Sequence, residues 1–243
     1  AWGRDGNNSW DYRKTATSGL FQKELPDVIG LQEAMKCQLD YIDYTCPEYA
    51  HVGEDRDGGI EGGETMAIYY RKEKFDLLDH GTFWLSESPD IVSRGWDAAC
   101  NRTVTWVKLK LKGNNKSFYY FNTHLDHVGK QARANGLALI VDRIAEINPE
   151  GYPMVLTGDF NVKPDDPCLT GLDARMKSTR KIAAKTDSHH TYNGWGKASK
   201  DSVIDYIYIS GFSACPEYQT VTKKYSGRTF ISDHYPITAR LIF

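Results

Sequence analysis

Seven polar side chains fall at or beside the ends of strand-like runs in this 243-residue sequence, and their types suit one chemistry. Glu33 follows the short apolar run Val28-Ile29-Gly30-Leu31. His124 closes Phe118-Tyr119-Tyr120-Phe121-Asn122-Thr123, and Asp159 and Asn161 follow Met154-Val155-Leu156-Thr157-Gly158. Asp205 interrupts an otherwise apolar run at 204–209, and Asp233-His234 precede the last run, 237–243. Carboxylates and an amide without thiolates are hard oxygen ligands, the set that selects Mg²⁺, Mn²⁺ or Ca²⁺ over zinc. One or two carboxylates holding a hydrated Mg²⁺ leave positions open for phosphate oxygens. A histidine held by a carboxylate is an acid–base or charge-stabilising unit. Taken singly, these residues have ordinary structural readings: Glu33 as a turn residue, His124 as a satisfied histidine, Asp159-Phe160-Asn161 with Pro164 as an Asx-rich turn. Asp205 resists such a reading, because an unpartnered carboxylate in an apolar strand costs on the order of several kcal/mol. Together the residues favour the chemical reading.

The elements that must position them alternate between strand and helix. Residues 28–31, 66–70, 75–85, 154–156, 204–209 and 237–243 read as strands, and 35–44 as a helix. Residues 103–112 alternate with period two: Val107, Leu109 and Leu111 face one way, Lys108, Lys110 and Lys112 the other. Phe118-Tyr119-Tyr120-Phe121 is apolar on both faces, as in a strand covered on both sides. Between 129 and 148, Leu137, Ile140, Val141, Ile144 and Ile147 recur at helical spacing. Strands outnumber helices, so the economical fold is α/β (α+β): two mostly antiparallel mixed sheets packed face to face, flanked by helices, in one domain spanning 1–243.

Composition narrows the function. Hydrophobic residues make up 40% and charged residues 26%, with a net charge of −2, so bulk charge supplies no stripe for holding long nucleic acid. The five cysteines (Cys37, Cys46, Cys100, Cys168, Cys215) lack zinc spacing and read as incidental thiols, with a Cys37–Cys46 disulfide left open should the protein be exported. The longest apolar runs are too short to cross a bilayer. The chain opens on Ala1-Trp2-Gly3-Arg4 without a signal peptide, as it also would after signal removal, so cytoplasmic and exported locations both stay open. A monomer is expected.

Seven motifs in order carry a resemblance: Ile29-Gly30-Leu31-Gln32-Glu33, Gly63-Glu64, Phe83-Trp84-Leu85-Ser86, Asn122-Thr123-His124-Leu125-Asp126-His127, Gly158-Asp159-Phe160-Asn161, Ile204-Asp205-Tyr206-Ile207 and Ser232-Asp233-His234-Tyr235-Pro236. The chain resembles the endonuclease/exonuclease/phosphatase superfamily, with its deoxyribonuclease I, abasic-site endonucleases, deadenylases, inositol-polyphosphate 5-phosphatases and bacterial sphingomyelinases. The resemblance implies a four-layer α/β sandwich with its site at one rim of the sheets. By that likeness Glu33 anchors the metal, Mg²⁺ or Mn²⁺, and Asp233 is a further metal or supporting carboxylate. Asp159 orients or deprotonates the attacking water, and Asn161 holds the phosphate or the water. His234, oriented by Asp205, stabilises the transition state, and His124, steadied by Glu64, contacts the phosphate or assists the leaving group. Arg102 is either a phosphate clamp, since guanidinium binds phosphate bidentately, or a surface ion pair.

In one respect the sequence departs from that pattern. Relatives begin with a core strand ending in a metal-holding Asn, whereas residues 5–13 read here as the loop after it, and Asn7 and Asn8 do not take the role. The natural chain is therefore expected to begin about one strand, five to six residues, further upstream.

The expected activity is metal-assisted hydrolysis of a phosphomonoester or phosphodiester by in-line attack of water. Its partner is a phosphate ester: a nucleic acid, a phosphorylated small molecule or a lipid head group. One rival is a nuclease, including a deadenylase-like 3′-exonuclease. Another is a catalytically silent phospholigand binder, against which the retained acid–base residues argue. Phe83-Trp84-Leu85-Ser86-Glu87-Ser88-Pro89 and Gly95-Trp96-Asp97-Ala98 resemble bacterial members without assigned substrates. Trp84, Trp96 and Trp195 are either stacking platforms or core aromatics. Selectivity is expected from the loops 55–64, 87–101 and 177–201.

Overall fold

In the computed structural model, residues 5–59 and 63–243 are described; the opening Ala1-Trp2-Gly3-Arg4 and residues 60–62 of the 55–64 loop lie outside them. In chain order the elements are α1 (Trp10–Glu24), β1 (Val28–Gly30), α2 (Lys36–Thr45), β2 (Tyr49–Val52), β3 (Ile68–Arg71), β4 (Phe75–Trp84), β5 (Thr103–Leu111) and β6 (Ser117–His124). There follow α3 (Lys130–Ile147), β7 (Met154–Asp159), α4 (Thr170–Arg175), β8 (Lys177–Ser178), α5 (Thr179–Ile182), β9 (Asp205–Ser210), β10 (Ala214–Thr220) and β11 (Ile237–Ile242). The fold is mixed α/β, with several sheets flanked by helices.

The six-stranded sheet runs β4-β5-β6-β7-β9-β8. Its central strands are apolar on both faces because both faces are covered. Tyr119, Phe121, Leu156, Tyr206 and Tyr208 join the core beneath α3 and α4, including Leu137, Ile140 and Ile144 from the helical stripe. The alternate residues Phe118, Tyr120, Val155, Ile207 and Ile209 form a second core with Ile68, against which Val28, Ile237 and Leu241 pack. A third core joins α1 and α2 to the outer face of β3 through Phe21, Ile42 and Tyr69. The expected half-exposed strand is β5, with Val107 and Leu109 fully buried and Lys108 stacked 4.4 Å from the Tyr152 ring centroid.

Among the described residues, the layer facing the six-stranded sheet is divided. It consists of β1-β3-β2 and, separately, β10-β11. Among the described residues, β1 and β11 each pair on one side only, and between them lies a slot of about 880 Å³ lined by Phe21, Ile29, Phe118, Tyr120, Ile237 and Leu241.

Residues 5–13, expected as a loop, are partly helical. A short 3₁₀ turn (Gly6–Asn8) leads into α1, which starts at Trp10. The segment's charged and polar residues hide an apolar stripe, yet Trp10, Arg13, Ala16, Leu20 and Phe21 are buried. The expected 177–201 loop contains β8 and α5. All five cysteines are free thiols. Among the described residues, no helix is long and apolar enough to cross a membrane.

Candidate active site

Strand register assembles the centre of the site. β6 and β7 are parallel, joined by α3, and β9 returns antiparallel beside β7. In this register His124 lies opposite Asp159, and Asp159 opposite Asp205. Paired residues on adjacent strands share a face, so the three side chains form one row at the sheet's rim. All three are buried.

The other groups reach that row from loops. His234 precedes β11, and its Nδ1 lies 3.0 and 2.9 Å from the two Asp205 carboxylate oxygens. Its Nε2 is 3.8 Å from Asp159 Oδ2. The Tyr192 ring packs edge-on against it, 5.0 Å between centroids. Thr191, fully buried, accepts the backbone N–H groups of Ile204 (3.0 Å) and Asp205 (3.1 Å), which fixes the start of β9 and with it Asp205. Asn161 has φ 52°, and its backbone N–H donates to Asp159 Oδ1 at 2.8 Å. Its side-chain Nδ2 reaches His124 Nε2 at 3.0 Å and the Leu125 carbonyl at 2.9 Å.

Glu33 follows β1 with φ 56°, and its Oε1 is 3.7 Å from His124 Nδ1. Its approach depends on a buried bridge between layers. Asn122 Nδ2 donates to the carbonyls of Leu31 (2.8 Å) and Ala67 (3.1 Å), while its Oδ1 accepts from Gln32 (2.7 Å) and Thr157 (3.0 Å). Gly30 permits the contact: a Cβ there would lie 2.5 Å from both Asn122 Oδ1 and Thr157 Oγ1.

The electrostatics follow from burial and neighbours. Burial, and then the Asp205 charge, push the Asp159 carboxyl above its usual range, against the opposing His234. Burial alone would lower the His234 pKa, but Asp205, aided by Asp159 and Asp233, outweighs it and raises it. Burial drives His124 well below the usual histidine value, and the charges of Arg102, His234 and Arg56 act the same way. The two histidines are thus pushed in opposite directions, His124 toward its neutral form and His234 toward its charged one.

One cavity of about 380 Å³ brings together Glu33, Glu64, Arg102, His124, Asp159, Asn161 and His234. Asp205 stands behind His234. Asp233 lines the larger slot instead, with Ser232 Oγ donating to its carboxylate at 3.3 Å and Arg13 within electrostatic reach. Glu64 corrects the expectation that it steadies His124: its carboxylate bonds Arg56 Nη1, and the acid nearest His124 Nδ1 is Glu33. Arg102 is buried with Nε on Asp126 (3.3 Å) and Nη2 on His127 Nδ1 (3.0 Å), so it is no surface ion pair. Trp84 is a core residue, and none of Trp84, Trp96 and Trp195 lines the cavity. Arg56, Asn122, Thr191 and Tyr192 were not singled out as site residues from sequence. Asn122 stands inside a quoted motif, but the other three lie in loops without a local signal.

Among the described residues, two groups of side chains bring metal-ligand atoms within 4.8 Å of one another: Asp159, Asp205 and His234, and Cys100, Asp126 and His127. In the first, the Asp159 carboxylate, with Glu33 near by, offers hard oxygen donors that suit a divalent cation, while His234, held toward its charged form by Asp205, is not a ligand. The second group does not suit one. Asp126 already accepts the backbone N–H groups of Ala99, Val128 and Gly129 as well as Arg102, and a thiol is a soft donor.

A family model described as Endonuclease/Exonuclease/phosphatase family matches residues 2–234. The chain belongs to that family. Among solved structures, it is similar to an endonuclease/exonuclease/phosphatase from Bacteroides vulgatus, 35% identical with a TM-score of 0.92, covering 98% of this chain and 93% of that one. It is also similar to a mannosyl-6-phosphatase from Bacteroides thetaiotaomicron, 32% identical with a TM-score of 0.94, covering 100% and 96%. A protein of Acanthamoeba polyphaga mimivirus is 24% identical over 249 residues, 94% of this chain and 90% of its own length. The fold is thus deoxyribonuclease I-like, in a family of phosphoester hydrolases.

Proposed function

We propose that the protein is a divalent-cation-dependent phosphoesterase, using Mg²⁺ or Mn²⁺, that hydrolyses the phosphomonoester of a compact polar alcohol such as a sugar. The row His124–Asp159–Asp205, closed by His234 over one small cavity, carries the reading. The cavity of about 380 Å³ suits a phosphorylated sugar better than a duplex, and similarity to a mannosyl-6-phosphatase supports that substrate class.

In this reading Asp159 takes the proton of the attacking water. Its raised pKa makes it a better base near neutral pH than an ordinary carboxylate. His234 stays protonated through Asp205 and donates from Nε2 to a phosphoryl oxygen as charge builds there. Asp233 supports that charge. His124 remains neutral, its Nε2 accepting from Asn161 and its Nδ1 turned to Glu33, so it orients these neighbours and contacts the phosphate without adding charge. Asn161, whose Nδ2 donates to His124 and to the Leu125 carbonyl, positions His124, and Arg102 clamps the phosphoryl group. Glu33 would hold the cation together with the Asp159 rim, and the bound ion would neutralise charge on the phosphoryl oxygens.

The same reading takes the three- and two-stranded sheets as one layer of a four-layer sandwich, with the slot between β1 and β11 as the seat of one further strand.

Phosphate release tests the function, measured with Mg²⁺ or Mn²⁺ on mannose 6-phosphate, other hexose phosphates, bis(p-nitrophenyl) phosphate, poly(A) RNA, abasic DNA and sphingomyelin. Hexose phosphates should turn over fastest, and EDTA should abolish turnover. Failure to cleave any of these esters would remove the hydrolase reading.

A further inference from the structure

Arg56 lies in a loop well separated in sequence from the acid–base residues, yet it lines the same cavity as His124, Asn161 and His234. Its backbone is pinned: the Arg56 carbonyl accepts from Trp84 Nε1 at 2.7 Å and from Asn101 Nδ2 at 3.4 Å. Its side chain is held by Glu64 at Nη1. Nε is buried, has no hydrogen-bond partner among the described residues, and reaches Asp57 only at 3.8 Å. A guanidinium presents five N–H donors in a fixed fork, and here most remain uncommitted. Arg102 is the second guanidinium of that wall, with Nε on Asp126 and Nη2 on His127. Both positive charges act on His124, and both act on Glu64 and Cys100.

We propose that Arg56 is a specificity-determining residue, which with Arg102 grips the terminal oxygens of a dianionic phosphoryl group and makes the site a phosphomonoesterase. The inference rests on the phosphoesterase reading and names its substrate class. A monoester near neutral pH carries close to two negative charges and three terminal oxygens. A diester carries one charge and has spent one of those oxygens on its second substituent. Two forks on one wall are therefore matched to the monoester: the extra oxygen finds N–H donors and the second charge finds a second cation. With a diester, Arg56 would face an esterified oxygen that accepts hydrogen bonds poorly, and the second alkyl group would have to share the small cavity.

The test compares kcat/KM for p-nitrophenyl phosphate and bis(p-nitrophenyl) phosphate in the full chain with Mn²⁺. Arg56→Gln should lower the monoester value at least tenfold more than the diester value. Arg56→Lys, which keeps the charge and loses the fork, should show an intermediate gap. Parallel losses on both esters in both variants, or no loss on the monoester, would overturn the proposal. A binding readout separates this outcome from failure of the hydrolase reading. Inorganic phosphate should raise the Tm of the unsubstituted chain clearly more than that of Arg56→Lys, while dimethyl phosphate should move both alike. Equal responses to inorganic phosphate would overturn the assignment whether or not the chain turns over either ester.

Discussion

The two sides of the site are built differently. On one side, His124, Asp159 and Asp205 are set by the register of three neighbouring strands inside a six-stranded sheet, with helices packed on its outer face. On the other, Glu33 hangs from a three-residue strand and Asp233 from a loop, and both border a slot between two strands that, among the described residues, pair on one side only. A ladder fixes side chains by many hydrogen bonds at once, whereas a loop fixes them through a few named contacts. The carboxylate assigned as base in the proposed mechanism, Asp159, sits on the ladder, while His234 reaches it from the loop before β11 and is fixed by Asp205. Charge collection, which tolerates more displacement, sits on the open side.

That contrast breaks first if the proposed acid–base pair and the supporting charge on the open side cost the same when substituted. Asp159→Asn and His234→Ala should each lower kcat by about 10²-fold to 10⁴-fold, the range for a positioned acid–base group. Asp233→Asn should cost no more than about tenfold, because it removes only a supporting charge. Steady-state kinetics on p-nitrophenyl phosphate measures both, and an Asp233 loss as large as that of Asp159 would erase the distinction.

A second prediction concerns the bridge between the sides. Asn122→Ala leaves the carbonyls of Leu31 and Ala67 and the side chains of Gln32 and Thr157 without their shared partner. Loss of buried partners costs about 1–3 kcal/mol each when unrelieved, so urea unfolding should show a destabilisation of roughly 2–4 kcal/mol. Activity should fall as well, since Glu33 loses its anchor.

The same division marks what sequence could tell. The strands of the six-stranded sheet announce themselves by alternation or by unbroken apolar runs, and their terminal residues gave His124, Asp159, Asn161 and Asp205 directly. The stripe from Leu137 to Ile147 likewise marked α3. On the open side the signals fade. α1 buries Arg13 and Ser18 along with apolar residues, so its pattern reads as a polar loop. Glu64 carried a recognisable motif, but which residue it would pair with depends on where the loop holding Arg56 folds, and no local pattern encodes that. Thr191 and Tyr192 act on β9 and His234 through tertiary contacts alone.

The smallest expected effect tests the electrostatics of the closed row without turnover. Asp159 has its pKa raised by burial and then by Asp205, so between the ordinary carboxylate value of 3.8 and its higher folded value the native state holds a proton that the unfolded chain has lost. His234 is also raised, Asp205 outweighing its burial, so above the ordinary histidine value of 6.5 the native state again binds the extra proton. Stability rises with pH only where the unfolded state binds more protons, and here the native state binds more in both windows. The contribution of His234 is therefore complete below pH 6.5 and is lost as pH rises through its folded pKa, while Asp159 progressively penalises the fold above pH 3.8. With EDTA present, these two groups should make Tm fall as pH goes from 5 to 9, and Asp159→Asn should flatten the acidic part of that slope. Mg²⁺ or Mn²⁺ should stabilise more at pH 9 than at pH 5, because a cation competes with the proton on Asp159. A Tm gain from the ion that is the same at both pH values would separate the ion's site from the Asp159–Asp205 row.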